Sequence, residues 1–383
     1  MVLITTACDG QVPSLDDDSL GDGTIEVGGS ATDGAVSVTD AAGDPPAPDA
    51  AIERPDPEDA AVIEQDPRTD ASIEQPAPND DEDEAVCPPV DHDCGGLEPA
   101  DAEGLSRFPI VLVHGMGGFE DLGPLDYYFG IPRLLRNAGY AVFVPETDPV
   151  NSTPVRAAQL AAQIDQILTC TCAEKLNLIG HSQGAIDIRY LTTAMGYGNR
   201  IASLTSIAGP HRGSPVADAA LGLIEGPTDA ILNALTAAFT GIVYGRPDEY
   251  PDLNAALESC STPARTAYNE AWPDDPDVPI YSYAGLSGLL VRGDGVCDGG
   301  ELPTPRRGDI PAPEFAITLA FISQVAGPND GLVPVDSARW GHFRGCLRAD
   351  HLDQIGQLLG VVDSFDYRRF FRDHAAFLTE QGH

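Results

Sequence analysis

The run Leu176-Asn177-Leu178-Ile179-Gly180-His181-Ser182-Gln183-Gly184 decides the fold. Leu176 to Ile179 has the length and composition of a short buried strand. The next five residues follow the pattern Gly-x-Ser-x-Gly, and a helix is expected to begin after Ser182. A strand that passes through a glycine-flanked serine into a helix turns too tightly for side chains at the flanking positions. That turn lifts the serine oxygen clear of the backbone at a helix N-terminus. Ser182 is therefore read as a nucleophile seated between a strand and a helix.

Working outward from this run, strands and helices alternate. Pro109-Ile110-Val111-Leu112-Val113 is a wholly apolar strand that ends in the glycine-rich turn His114-Gly115-Met116-Gly117-Gly118. Residues 131–137 read as a helix and 141–144 as a second strand. Thr153-Pro154 reads as an N-cap followed by proline at the first helical position, and Leu160, Ile164 and Ile167 mark one face of that helix. Residues 201–207 form a further strand. Continuous apolar strands separated by helices imply parallel βαβ units, with both sheet faces covered and the chemistry at the carboxyl ends of the strands.

A nucleophilic serine needs a base, and the base needs a carboxylate to orient it. The histidines that follow Ser182 are His211, His342, His351, His374 and His383. His211 comes too early to follow an acid in the order Ser, acid, His. Asp330, in Gly327-Pro328-Asn329-Asp330-Gly331, comes after the apolar run Phe315 to Val325, which places it in a loop at a strand end. His351 is the candidate base. His342, read in a surface loop, and His374, read in a C-terminal helix, are its rivals. The oxyanion of an acyl-transfer intermediate needs two donors aimed at one point. The backbone N–H groups of Gln183 and Met116 are the candidates, the second because Gly115 and Gly117 let that loop approach closely.

These motifs together resemble the bacterial triacylglycerol lipases of the Pseudomonas and Burkholderia type. The resemblance covers roughly Phe108 to Asp366. It is carried by Pro109–Phe119, Asp126–Pro132, Leu176–Gly184, Ala208–Asp218, Asn329–Val333 and His351–Gln357, in matching order and spacing. It implies an α/β-hydrolase fold, with a mostly parallel central sheet, helices on both faces and a helical lid within about 214–260. It also implies the triad Ser182, Asp330 and His351, with Met116 and Gln183 as oxyanion donors. A structural calcium ion is implied near the histidine loop, on Asp353, Gln357, the carbonyl of Val361 and, across an insertion at 292–307, Asp309. Oxygen ligands of this kind suit calcium. The family's disulfide is absent or moved here, with Cys297–Cys346 as the substitute. A lipase-specific folding chaperone is a further implied partner.

Within the expected lid, residues 230–244 hold no charge and contain Ile231, Leu232, Leu235, Phe239, Ile242 and Val243. A lid with an apolar inner face points to esters at a lipid interface. The same stretch also suits an ordinary buried helix.

Composition sets the remaining bounds. Residues 1–106 carry 28 of the 60 acidic residues and two of the 21 basic ones, with few large apolar side chains. Such a segment cannot bury enough apolar surface to offset its chain entropy and is expected to be a disordered linker over 9–106. Residues 107–383 suffice for one hydrolase domain. A net charge of −39, with Lys175 the only lysine, excludes nucleic acid as a partner, because phosphate would be repelled. Eight cysteines favour an oxidising compartment. Residues 1–8 end in Thr6-Ala7-Cys8 and resemble the tail of a lipoprotein signal, without its basic start and with too short an apolar run. The resulting expectation is a hydrolase outside the cell or at the cell-envelope surface, anchored through Cys8 and acting on acylglycerols. Short-chain carboxylesterase, polyester depolymerase and acyltransferase activities use the same triad. A surface binding module on an inactive scaffold is the non-enzyme alternative.

Overall fold

A computed structural model describes residues 105–118, 126–243, 252–289, 295–357, 359–363 and 365–383. Cys8, Cys87, Cys94, the acidic segment through residue 104 and the part of the expected lid from Tyr244 to Pro251 lie outside the described residues.

The sheet has six strands, β1 (Ile110–Val113), β2 (Val142–Phe143), β3 (Leu176–His181), β4 (Ile201–Ile207), β5 (Ile280–Gly285) and β6 (His342–Leu347). Their order is β2-β1-β3-β4-β5-β6, and every neighbouring pair is parallel. Every residue of β1 to β5 is buried, as required of strands covered on both faces. The two-residue side-chain period sorts β1 between two cores. Ile110 and Leu112 join Ile131, Leu135, Phe370 and Phe371 on one face. Val111 and Val113 join Leu160, Ile164, Ile188 and Leu191 on the other.

The first of these faces is covered by α1 (Ile131–Asn137) and α10 (Tyr367–Glu380), the second by α2 (Thr153–Thr171) and α3 (Gln183–Thr193). α2 begins with Ser152 at its N-cap, one residue before the expected position. Between β4 and β5 lie α4 (Pro215–Ala220), α5 (Thr228–Val243), α6 (Leu253–Ser259) and α7 (Thr262–Ala271); α8 (Ala316–Val325) and α9 (Val335–Ala338) precede β6. A third apolar cluster forms beyond the carboxyl ends of the strands, from Met116, Val216, Ile231, Leu235, Phe315, Phe321 and Leu332.

Three local expectations differ from the structure. The run Phe315 to Val325 is not a strand. Phe315 ends a short 3₁₀ turn, and α8 follows, burying Thr318, Phe321 and Ile322 at helical spacing. Ten consecutive non-charged residues exceed a typical strand, and their period favours the helix. His342 opens strand β6 instead of sitting in a loop. Leu105 and Ser106, placed in the linker from the sequence, are tied into the domain: Leu105 N–H donates to the Gly139 carbonyl (2.9 Å) and Ser106 Oγ to the Phe108 carbonyl (2.8 Å).

Candidate active site

β3 turns into α3 at Ser182, which has φ 56° and ψ −127°. A non-glycine residue held there stores on the order of 1–3 kcal/mol of strain, and neighbouring contacts must enforce it. The enforcement is steric. A Cβ on Gly180 would meet the Gly184 carbonyl oxygen at 2.5 Å, and one on Gly184 would meet the Val113 carbonyl oxygen at 2.4 Å. Only glycine at both positions lets β1, β3 and α3 close around the turn. Gly115 does the same for the loop after β1, since its Cβ would lie 2.7 Å from Ser182 Cβ. The loop carrying Met116 is therefore packed directly against the serine. Gln183 is the first residue of α3, so its N–H is one of the helix's terminal donors without an intrahelical acceptor.

Arg156, wholly buried on α2, fixes that loop from behind. Its Nη2 donates to the His114 carbonyl (2.6 Å), its Nη1 to the Asp148 carbonyl, and its Nε to Asp187 Oδ2 (2.7 Å), also wholly buried. Burial raises the Asp187 carboxyl above its ordinary pKa in spite of the Arg156 charge beside it. Burial and that same charge push His114 down to about 3, so its ring is neutral. Its Nε2 accepts from the Thr147 N–H (3.2 Å), and its Nδ1 therefore donates to the Gly115 carbonyl (2.9 Å).

Asp330 and His351 meet although one precedes β6 and the other follows it. Asp330 Oδ2 accepts from His351 Nδ1 at 2.8 Å. Asp330 Oδ1 accepts from the N–H groups of Leu332 (3.0 Å) and Val333 (2.7 Å), and the His351 N–H donates to the Asp330 carbonyl (2.9 Å). Both side chains are buried. With Nδ1 donating to the carboxylate, Nε2 is the ring's acceptor, and it has no hydrogen-bond partner. The His351 ring lies 4.6 Å, centroid to centroid, from that of His181, the residue before Ser182. His181 is itself held by Tyr127, whose hydroxyl lies 2.7 Å from its Nδ1. The rival histidines are placed elsewhere. His374 is buried between Thr205 Oγ1 (2.8 Å) and Tyr283 OH (3.0 Å), and His342 is exposed.

Ser182 and Met116 line a cavity of about 40 Å³ with Val216, Leu235, Leu257, Cys260 and Leu332. That is a narrow space, of the order of a few water molecules. Its roof includes α5, where Ile231, Ala234 and Leu235 are buried. The side chains of Phe239, Ile242 and Val243 lie outside the described residues.

Next to the histidine loop, Asp309, Asp350 and Asp353 bring one carboxylate oxygen each within 4.8 Å of one another. Asp309 Oδ2 accepts from the Asp350 N–H (2.8 Å), while its Oδ1 is buried without a partner. Burial, followed by the charge of Asp350, pushes Asp353 up to about 8. Burial, opposed by hydrogen bonds and aided by Asp309, pushes Asp350 up to about 6. An orphaned oxygen in a crowd of buried carboxylates is a cation-seeking arrangement. Gln357 donates its amide to the carbonyls of Asp126 (2.6 Å) and Tyr127 (2.9 Å), which leaves its oxygen as the group it could offer a cation. Val361 has an exposed side chain, so its carbonyl is what it could offer.

Sequence reasoning did not single out Asp350, Gln354, Arg156 or Asp187. The signals were present but weak: Asp350 adjoins His351, and Arg156 and Asp187 are charges set among apolar helix positions. Cys297 and Cys346 are bonded, with Cα atoms 5.5 Å apart. Cys170 and Cys172 are also in disulfides.

A family model described as the alpha/beta hydrolase fold matches residues 109–236. A triacylglycerol lipase of Vibrio cholerae is 34% identical over 288 residues, covering 72% of this chain and 89% of that protein. One from Pseudomonas fragi is 31% identical, covering 72% and 98%. The solved structure of Bacillus licheniformis lipase BlEst2 in mature form superposes with a TM-score of 0.51 at 19% identity, covering 76% of this chain and 96% of that one, which bears on the fold alone.

Proposed function

The chain belongs to the triacylglycerol lipase family of α/β-hydrolases, and from that premise we propose that it hydrolyses acylglycerol esters at a lipid surface, with Ser182 as nucleophile, His351 as base and Asp330 as its orienting acid. The observation that carries this assignment is the buried His351–Asp330 pair, whose Nε2 is unpartnered and whose ring lies 4.6 Å from that of His181, the residue before Ser182. His351 Nε2 takes the Ser182 proton as Oγ attacks the ester carbonyl. The Met116 and Gln183 N–H groups receive the oxyanion, and Asp330 stabilises the imidazolium. His351 then protonates the departing alcohol. In the second half, water, deprotonated by the same nitrogen, releases the fatty acid from Ser182.

The cavity is narrow, and α5, which contributes Leu235 to its lining, is the lid that swings away to admit an acyl chain. Leu223 and Ile224 before α5, and Ile317 and Val325 on the neighbouring uncharged helix α8, are exposed and favour an apolar surface. The alternative, a short-chain carboxylesterase, is favoured by the size of the cavity. Asp309, Asp350 and Asp353, with the Gln357 side-chain oxygen and the Val361 carbonyl, would hold calcium. The ion would neutralise the buried carboxylates and brace the turn that carries His351. The disulfides support export to an oxidising compartment. An anchor at Cys8 and a folding chaperone rest on resemblance. Thiol trapping with cell fractionation, palmitate labelling and unaided refolding test the three in turn.

The deciding assay is hydrolysis of emulsified long-chain and soluble butyrate esters by the purified chain and by Ser182→Ala. Long-chain activity lost in the variant supports the lipase. Activity on butyrate alone makes it an esterase with α5 as fixed core. Full activity in Ser182→Ala sinks the mechanism.

A further inference from the structure

The Asp330 carboxylate is engaged beyond the triad. Its Oδ2, the oxygen that accepts from His351 Nδ1, also accepts from Gln354 Nε2 at 2.9 Å. The second hydrogen of that amide goes to the Asp350 carbonyl (3.1 Å). Both acceptors lack hydrogens, so the nitrogen and oxygen of the Gln354 amide cannot be exchanged. Gln354 is wholly buried and sits in the short 3₁₀ turn Asp353–Ile355. His351 and Gln354, three residues apart, thus reach one carboxylate oxygen from one turn. The fit is built from the other side as well: a Cβ on Gly285, at the end of β5, would lie 2.3 Å from Gln354 Nε2 and 2.6 Å from Asp330 Cβ.

We propose that Gln354 is a positioning residue for the hydrolysis, acting through Asp330. This rests on the reading of Asp330 and His351 as acid and base. An ionised buried carboxylate has about four acceptor sites, and those left empty are costly. Two backbone N–H groups occupy Oδ1. The Gln354 amide occupies a second site on Oδ2, so a single direction remains for His351 Nδ1–H. The imidazole is then aimed by elimination, with Nε2 toward the serine. The amide supplies this without a charge and shares Oδ2 with His351 Nδ1–H, so the bond that Oδ2 accepts from His351 is tempered. The role belongs to catalysis and not to substrate binding, because Gln354 does not line the cavity beside Ser182.

The test uses the full chain in calcium-containing buffer, with Gln354→Leu and Gln354→Asn. Leucine removes the donor, and asparagine keeps an amide one methylene too short to reach. Three quantities are read on a soluble ester: kcat, KM, and the low-field proton resonance of His351 Nδ1–H. The expected result for both variants is a roughly ten- to hundredfold lower kcat, with KM within about twofold of the parent. The resonance should move further downfield, since Oδ2 would have only His351 to bind. A merely structural residue would lower the melting temperature and leave the resonance where it was. An unmoved resonance, or a kcat within about twofold in the folded variants, overturns the proposal. If the leucine variant does not fold, the asparagine variant carries the same test. Failure of the underlying reading would show separately, as activity persisting in His351→Ala and Asp330→Ala.

Discussion

Replacing Arg156 by leucine should cost as much stability as the largest apolar truncations in this fold, and the structure gives the size of the effect. Arg156 and Asp187 are both wholly buried, 2.7 Å apart. Removing one partner of such a pair typically costs about 3–5 kcal/mol, because the other charge is left without compensation in a low-dielectric site. Arg156 also holds the His114 and Asp148 carbonyls, so the upper half of that range is expected. Domains of this kind are stable by about 5–15 kcal/mol, so the variant loses a large fraction of the total. At roughly 2–4 °C per kcal/mol, the melting temperature should fall by roughly 8–20 °C at neutral pH. Asp187 fixes the pH dependence. Its folded pKa is raised, so its protonated form is favoured in the native state. The loss in Arg156→Leu is therefore greatest at neutral pH and shrinks as acid protonates Asp187. The double variant Arg156→Leu with Asp187→Leu removes both charges and should recover more than half of the lost stability. It should not recover kcat, because the His114 carbonyl, and with it the Met116 loop, stays unanchored. Circular-dichroism melts and initial rates on a soluble ester read both effects. A single variant within about 1 kcal/mol of the parent, or a double variant no more stable than the single, would show that this pair does not do what its burial implies.

Two further outcomes follow from other buried groups. Calcium should raise the melting temperature of chelator-treated protein, by the equivalent of about 2.7 kcal/mol at a hundredfold excess over Kd. Asp309→Asn should lose most of that response; equal stabilisation of parent and variant would remove Asp309 from the site. His374 is pushed down to about 3 by burial and, secondarily, by the Arg344 charge, against about 6.5 when unfolded. Between those values the unfolded chain binds more protons, so the contribution of His374 is complete above about pH 6.5 and is lost as the pH falls toward 3. His374→Gln should narrow the gap between unfolding free energies at pH 7 and pH 5 by about 2 kcal/mol, and an unchanged gap in denaturant titrations would contradict the assignment.

Local regularity wrote much of this protein into its sequence. The runs Ile110–Val113, Leu176–His181 and Ile201–Ile207 are wholly buried parallel strands; β1 is apolar throughout, while β3 and β4 also bury Asn177, Ser203 and Thr205, each hydrogen-bonded. Gly180 and Gly184 announced the turn at Ser182, since no side chain fits where they sit. The same locality explains what went unread. β5, Ile-Tyr-Ser-Tyr-Ala-Gly, alternates polar and apolar residues and gives no continuous apolar signal. α8 was mistaken for a strand because composition alone does not separate a buried helix from a buried strand. The pairings that give the site its chemistry join residues far apart along the chain. Asp330 meets His351 across 21 positions, Arg156 meets Asp187 across 31, and Gln357 reaches the Tyr127 carbonyl across 230. No periodicity encodes such distances. The sequence determined most of the strands and the glycine-flanked turn at Ser182. Only the closing of the sheet and the burial of its loops decided which carboxylates share a cation-seeking pocket and which histidine pairs with Asp330, because these depend on what remains unpaired once water has been excluded.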